Sequence, residues 1–174
     1  MKNSSLVVVD VEVDGPIPFR YSMVSFGAVI VENGTPRSFY AQTAPISSQF
    51  VPEALAVSGF SREQHETFPA PEIAMQNFAA WLAREIKGRP IFVSDNLAFD
   101  WSWINWYFHE FTGANPFGFS GRRIGDFYAG VQRDWFAASK WKSLRQTAHT
   151  HHPVDDARGN AQALLQILAM CKAA

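Results

Sequence analysis

Apolar residues alternate with polar ones near the start of the chain and recur at helical spacing farther along. The stretch VVVDVEVDG, rich in β-branched residues at period two, predicts a first strand. YSMVSFGAVIVENG and RSFYAQTAP predict two more, and the Asn33-Gly34 pair between them is typical of a hairpin turn. The short apolar run RPIFVSDN predicts a fourth strand.

Three longer segments repeat apolar residues three or four positions apart, as one face of a helix does. The first is APEIAMQNFAAWLAREIKG, which Gly88 ends. The second begins at about Asp100 and the third at about Asp155. VPEALAVSGFSREQ favours a short helix and a loop, whereas residues 122–150 show no dominant period. Three strands followed by alternating helices and a strand indicate an α/β domain with a mixed sheet.

The composition is that of a folded domain, since 47% of the 174 residues are apolar and 18% are charged. We expect one domain over residues 1–174. The single cysteine, Cys171, excludes an internal disulfide and fits a reducing compartment. Acids interrupt the N-terminal apolar segment too early for a signal peptide, and no run approaches the roughly 18 apolar residues of a membrane span. We therefore expect a cytoplasmic protein without a membrane partner.

A formal net charge of −1 excludes a globally basic nucleic-acid binder. Positive charge is nevertheless concentrated in one segment, which carries Arg122, Arg123, Arg133, Lys140, Lys142 and Arg145. Such a run is either a solvated surface or a patch that contacts phosphates, and both interpretations stay open at this point.

The first strand raises an electrostatic question, because period two places Asp10, Glu12 and Asp14 on one face. Like charges so close repel each other unless a positive group offsets them. Further acids and histidines lie in SDNLAFDW, GDF and HTHHPVDDARGNA. A carboxylate cluster drawn from these segments suits Mg²⁺ or Mn²⁺, and two such ions roughly 3.5–4 Å apart can hold both oxygens of a phosphodiester displacement. A neutral histidine nearby can take the proton of the attacking water.

Three motifs in this order resemble the DEDDh group of 3′–5′ exonucleases. The group's first motif, Asp-x-Glu followed by two threonines and a glycine, matches the acids and the glycine of DVEVDG, with Val13 and Asp14 at the threonine positions. Its second, an Asn followed by Phe-Asp, matches NLAFD in full. Its third, a His five residues before an Asp, matches HHPVDDA. The resemblance spans about residues 5–170.

The resemblance implies a ribonuclease H-like fold of three layers, with a mixed central β-sheet flanked by helices. It implies two divalent cations, Mg²⁺ or Mn²⁺, bound by four acids: Asp10, Glu12, Asp100 and Asp156. It also implies that His151 is the general base, because among the nearby histidines only His151 has an acid of the pair five residues later. His152 is then expected to be a neighbour that faces solvent or the substrate.

The resemblance is nearest to small bacterial exoribonucleases such as ribonuclease T, oligoribonuclease and the polyadenylate-directed type, several of which are homodimers. It implies an enzyme that releases nucleoside 5′-monophosphates from single-stranded 3′ ends, with RNA favoured over DNA. A DNA exonuclease of the proofreading or repair type is the alternative among enzymes. A catalytically silent nucleic-acid-binding domain is the alternative outside them.

Other residues near the motifs have structural interpretations. Asp14 is expected to be a solvated turn residue rather than a third ligand, and Asp126 a structural residue or a loop cap. Asp155 is expected to be the N-cap of the last helix. Tyr107 and Phe108 lie on the apolar stripe of their helix, which favours a place in the core.

Four residues are candidates for substrate contact: Phe60, Asn96, Trp101 and Arg145. Phe60 lies where the resembled family often places an apolar residue against the terminal base. Asn96 belongs to the second motif, and Trp101 adjoins the expected metal site away from the core stripe. Arg145 belongs to the basic segment that leads to His151.

Overall fold

The computed structural model describes residues 4–173, which form five strands and six α-helices. In chain order these are β1 (Ser4–Val13), β2 (Met23–Ile30), β3 (Ser38–Gln42), α1 (Pro52–Val57), α2 (Arg62–His65), α3 (Pro71–Glu85), β4 (Arg89–Ser94), α4 (Leu97–Thr112), β5 (Gly121–Arg123), α5 (Ile124–Gln132) and α6 (Pro153–Ala173). Two short 3₁₀ turns, Trp135–Ala137 and Lys140–Leu144, lie between α5 and α6. Within this described part of the chain, the helices lack the combination of length and apolar character needed to cross a membrane.

The strands form one mixed sheet in the order β3-β2-β1-β4-β5. β1 and β3 run antiparallel to β2, which confirms the predicted hairpin, and β4 runs parallel to β1 and β5. The ladder between β1 and β4 ends at the pair Val8–Val93. The last five residues of β1 therefore lie beyond its ladder with β4 and pair with β2 alone.

Helices cover both faces of the sheet. On one face, residues of α3 and α4 such as Phe78 and Ile104 join the buried valines of β1, and Tyr107 and Phe108 lie in this core as predicted. On the other face, α6 packs with Trp141 against the opposite side of β1, β2 and β4. The predicted α/β architecture of three layers, with a mixed central sheet flanked by helices, is confirmed.

Several element boundaries differ from the sequence predictions. Helix α4 begins at Leu97, three residues before Asp100, and α6 begins at Pro153, two residues before Asp155. Proline suits the first helical position because its missing N–H has no partner there in any case. Asp155 is thus in the first turn of α6, where it pairs with Arg158, and its prediction as the N-cap is wrong.

Two elements, α2 and β5, were not predicted from the sequence. The segment predicted as one short helix and a loop contains two helices, because Ser61 caps α2 through a reciprocal pair of bonds with Gln64. β5 has only three residues, and its strand conformation depends on pairing with β4 from Phe92 to Ser94. A three-residue segment of this kind carries no periodicity that a sequence pattern can reveal.

Candidate active site

Asp10 and Glu12 lie on the part of β1 that extends past β4. Glu12 is 8% exposed and Asp10 is partly buried, so both carboxylates are largely removed from water. The two residues are separated by one position, which places them on the same face of the strand as predicted. Asp10 and Glu12 therefore line one side of the candidate site.

Asp156, in the first turn of α6, lies beside Asp10 and Glu12. It is 1% exposed, and one carboxylate oxygen from each of Asp10, Glu12 and Asp156 lies within 4.8 Å of the others. Gly27, the residue paired with Asp10 across the sheet, makes this approach possible. A Cβ on Gly27 would lie 2.5 Å from the backbone carbon of Pro153, at the start of α6.

Asp100 belongs to the first turn of α4 and is 4% exposed. Burial raises the pKa of Asp100 to about 7. Burial, followed by repulsion from Asp156 and Asp100, raises the pKa of Glu12 to about 7. The pKa of Asp10 is raised well above its ordinary value, first by burial and then by repulsion from Asp100, Glu12 and Asp156. Asp10 and Glu12 are therefore strained by burial and by the negative charges of Asp100 and Asp156, and either protonation or an added positive charge would relieve this strain.

His151 lies in the loop before α6, in a left-handed conformation with a φ of 61°. The carboxylate of Asp156 fixes this loop, because its two oxygens accept hydrogen bonds from the backbone N–H groups of Thr150 and His151, both at 3.0 Å. The ring of His151 is 51% exposed, and its Nδ1 lies 3.9 Å from Oε1 of Glu12. The backbone of His151 is thus anchored while its ring stands at the open side of the acids.

His149 is a site residue that the sequence reasoning did not assign. Its Nδ1 lies 2.8 Å from Oδ2 of Asp156, and its ring centroid lies 4.3 Å from that of His151. The signal present in the sequence was the position of His149, two residues before His151 in the third motif. His152 is 49% exposed and stacks on Tyr40, consistent with a neighbour that faces outward.

Asp14 is fully buried, which makes its prediction as a solvated turn residue wrong. The register between β1 and β2 shifts after Glu12, and Asp14 lies past the end of the strand. Its carboxylate accepts a hydrogen bond from the backbone N–H of Ser22 and pairs with Arg62 at 3.1 Å. Because Arg62 is 48 residues away in the chain, no local pattern could have revealed this pair.

The predicted substrate contacts lie in different environments. Phe60 is partly buried and packs edge-on against Phe68. Asn96 is exposed immediately before α4, where its backbone oxygen accepts hydrogen bonds from the first turn. Trp101 packs edge-on against Phe92 at a centroid distance of 5.1 Å, a core contact that the sequence reasoning did not expect.

Arg145 is 13% exposed, so little of it is free to meet a substrate. Its guanidinium group hydrogen-bonds Asn160, lies over the ring of Trp141 and is 3.8 Å from Asp95. Lys142 also pairs with Asp95, at 2.7 Å. Other cations of the basic segment have acidic partners too: Arg123 pairs with Asp126, and Lys140 with Asp134. Three acids therefore offset part of the positive charge of this segment, and Asp126 has the structural role predicted for it.

The acids fit a divalent cation in both chemistry and spacing. Asp10, Glu12 and Asp156 offer only oxygen donors, which suits Mg²⁺ and Mn²⁺, and their oxygens are close enough to share an ion. Asp100, whose charge raises the pKa of Asp10, extends the group toward α4. A divalent metal held by these residues would supply positive charge to offset their carboxylates.

Comparison with known proteins shows which family has these features, although no family model matches the sequence. The 3′–5′ DNA exonuclease Cap18 of Escherichia coli is 37% identical over 164 residues, which cover 90% of this chain and 87% of that protein. The nuclease domain of 3′hExo, a DEDDh family member bound to rAMP, superimposes with a TM-score of 0.76 at 13% identity over 96% of this chain and 92% of that one. E. coli Exonuclease I in complex with a dT13 oligonucleotide gives a TM-score of 0.66 at 14% identity, over 95% of this chain and 41% of that one. Together with the acids gathered at the end of β1, these likenesses establish that the chain belongs to the DEDDh family of 3′–5′ exonucleases.

Proposed function

We propose that this chain, acting as one domain, removes nucleotides from single-stranded 3′ ends through Asp10, Glu12, Asp100, Asp156 and His151. The observation that carries the proposal is the convergence of carboxylate oxygens from Asp10, Glu12 and Asp156 within 4.8 Å beside the exposed ring of His151. The raised pKa values of the buried acids Asp10 and Glu12 are what we expect of a site that binds cations.

The four acids would hold two divalent ions, Mg²⁺ or Mn²⁺. When bound, these ions position the attacking water and offset the negative charge that develops on the phosphate and on the leaving 3′-oxygen. Attack by the water oxygen forms a new bond to phosphorus, and the bond from phosphorus to the 3′-oxygen of the preceding nucleotide breaks. The products are a nucleoside 5′-monophosphate and a strand with a new 3′-hydroxyl.

His151 takes the proton of the attacking water in this proposal. Its Nδ1 is turned toward Glu12 at 3.9 Å, so Nε2 on the far side of the ring is available to the water. The backbone hydrogen bond from His151 to Asp156 keeps the ring near the acids, while its exposure leaves room for a strand end. A general base typically contributes about 10²–10⁴-fold to the rate, and we expect the His151→Ala variant to lose that much.

We propose DNA rather than RNA as the preferred substrate. The relative with 37% identity is named a DNA exonuclease, which favours the alternative that the motifs alone placed second. The choice depends on the groups that meet the sugar, since contact with the 2′-hydroxyl lets a protein distinguish RNA from DNA. A homodimer and a cytoplasmic location are further parts of the proposal, and sedimentation of the purified protein tests the first.

The proposed function is tested with single-stranded DNA and RNA oligonucleotides of matched sequence, incubated with the protein and Mn²⁺ or Mg²⁺. We expect nucleoside 5′-monophosphates from both strands, faster from DNA, and none in the presence of a chelator. The Asp10→Ala variant, with folding checked by circular dichroism, should release none. A wild-type protein that binds both strands but cleaves neither would favour the silent binding domain instead.

A further inference from the structure

A second set of possible metal ligands shares one side of the active site. One ligand atom from each of His149, His151 and Asp156 lies within 4.8 Å of the others. This set offers two imidazole nitrogens and one carboxylate oxygen, whereas the set of Asp10, Glu12 and Asp156 offers oxygen alone. Only Asp156 belongs to both sets, so the two differ in chemistry as well as in position.

Imidazole nitrogen favours Zn²⁺ over Mg²⁺, and three protein ligands with a fourth open position make a common zinc arrangement. We propose that His149, His151 and Asp156 form a zinc site that inhibits the enzyme. Nothing in the proposed hydrolytic reaction needs His149, yet the structure holds its Nδ1 2.8 Å from Oδ2 of Asp156.

The loop before α6 is already shaped for such a site. The two oxygens of Asp156 accept hydrogen bonds from the backbone of Thr150 and His151, which fixes the acid and the loop relative to each other. The rings of His149 and His151 are 50% and 51% exposed, with centroids 4.3 Å apart. A cation from solvent reaches both rings without opening the fold, and small rotations of exposed rings complete the coordination.

Inhibition rests on the proposed function and follows because the zinc set includes two residues that the proposed reaction uses, His151 and Asp156. Zinc on this set coordinates one ring nitrogen of His151 and leaves the proton on the other, so the ring can no longer accept the proton of the attacking water. It also engages Asp156, which the oxygen site needs for Mg²⁺ or Mn²⁺. Binding of zinc therefore removes the general base and weakens the oxygen site in a single step.

The test measures zinc binding directly, by calorimetric titration of the purified protein in the presence of excess Mg²⁺. We expect one zinc ion per chain, and a loss of affinity of about 100-fold or more in the His149→Ala variant, since even residues that only support a metal ligand are worth 10–100-fold. The His152→Ala variant is the matched control, because His152 is equally exposed but stacks on Tyr40 outside the cluster. The Asp10→Ala variant, which disrupts the oxygen site and so weakens competition from Mg²⁺ for Asp156, should bind zinc at least as tightly as the wild type.

Co²⁺ in place of zinc adds a spectroscopic measurement, since its visible absorption is intense in tetrahedral sites and weak in octahedral ones. Unchanged zinc affinity in His149→Ala, or its loss in Asp10→Ala, would place the ion on the oxygen site and overturn the proposal, as would absence of zinc binding. Zinc should also suppress Mg²⁺-supported cleavage by the wild type. Absence of cleavage even without zinc would instead refute the proposed function and leave the binding result standing.

Discussion

The Nη1 atom of Arg62 lies 3.1 Å from Oδ2 of Asp14, which joins helix α2 to the chain two residues beyond Glu12. Asp14 is fully buried, and the side chain of Arg62 is 14% exposed. Arg62 also donates to the backbone oxygen of Ser47 at 2.7 Å and lies over the ring of Phe50. The pair therefore fastens the segment before α3 to the strand that carries the candidate metal ligands.

Removal of one member of this pair should destabilise the fold. The Asp14→Ala variant leaves the backbone N–H of Ser22 without its acceptor and leaves Arg62 with Glu66 as its remaining carboxylate partner. We expect the free energy of unfolding to fall by about 2 kcal/mol, as measured by denaturant titration. Arg84→Ala, which breaks an exposed ion pair with Glu85, is the control and should change stability by less than about 0.5 kcal/mol. Equal effects of the two substitutions would contradict the structural role of Asp14.

A second variant of Asp14 tests whether this residue is structural or is a third metal ligand. The Asp14→Asn variant retains an oxygen that can accept the hydrogen bond from Ser22 but loses its charge. Because Asp14 points toward Arg62, we expect Mn²⁺ to raise the melting temperature of this variant as much as that of the wild type. A lost metal-dependent shift in a folded variant would make Asp14 a ligand after all.

Asp10→Asn should exchange activity for stability. The substitution removes an acid whose pKa is raised by burial and by repulsion from Asp100, Glu12 and Asp156. We expect the metal-free variant to be more stable than the metal-free wild type by about 1–3 kcal/mol. Cleavage should fall by more than about 100-fold, and the shift in melting temperature on addition of Mn²⁺ should largely disappear. A variant that is less stable and still responds to Mn²⁺ would contradict the strained-site account.

The metal-free protein should lose stability as pH rises through the titration of Glu12. The pKa of Glu12 is raised from 4.5 to about 7 on folding, so between these values the folded protein holds more protons at this group than the unfolded chain. The contribution to stability is full below the lower value and is lost as pH approaches the higher one. Asp100, with its pKa raised to about 7, acts in the same direction.

His65 acts in the opposite direction, because burial lowers its pKa and acid then destabilises the fold. The measurement is therefore a comparison of the wild type with Glu12→Gln, in which His65 is unchanged, by denaturant titration with a chelator present. We expect Glu12→Gln to gain up to about 3 kcal/mol relative to the wild type between about pH 5 and about pH 8. Parallel pH profiles for the two proteins would show that the folded environment leaves Glu12 unaffected.

Gly27→Ala should displace the start of α6 and with it Asp156. The added Cβ would lie 2.5 Å from the backbone nitrogen of Val154, which cannot yield as a flexible side chain would. We expect a loss of about 1–3 kcal/mol in stability and a weaker response to Mn²⁺, as measured by thermal unfolding with and without the metal. The control is Gly130→Ala in α5, where a Cβ meets no atom within 4 Å and stability should rise slightly. A normal Mn²⁺ response in Gly27→Ala would show that α6 does not depend on this close approach.

The sequence was sufficient for the local parts of this site. The alternation around Asp10 and Glu12 places both on one strand face, and the spacing from His151 to Asp156 places a histidine beside a helix-start acid. These features follow from strand and helix periods that operate over a few residues. They indicated an α/β domain, and the resemblance of the three motifs to DEDDh exonucleases implied the family, its fold and the four acids.

The features that sequence reasoning missed depend on contacts between distant parts of the chain. Asp14 is buried because Arg62 reaches it from another element, and Arg145 is turned inward because Asn160 and Asp95 hold it. Trp101 lies off the apolar stripe of α4 but is covered by β5, a strand that exists only through its pairing with β4. In each case the environment of the side chain depends on residues that are distant in the chain, and the local sequence pattern does not indicate which residues these are.

The direction of cleavage tests the central claim most directly. Single-stranded DNA with a label at its 5′ end is incubated with the protein and Mn²⁺, and the products are resolved at single-nucleotide length over time, with Asp10→Asn as the inactive control. The account predicts labelled products that shorten by one nucleotide at a time from the 3′ end. Release of the labelled 5′ nucleotide as the first product, or internal fragments without a ladder, would contradict it.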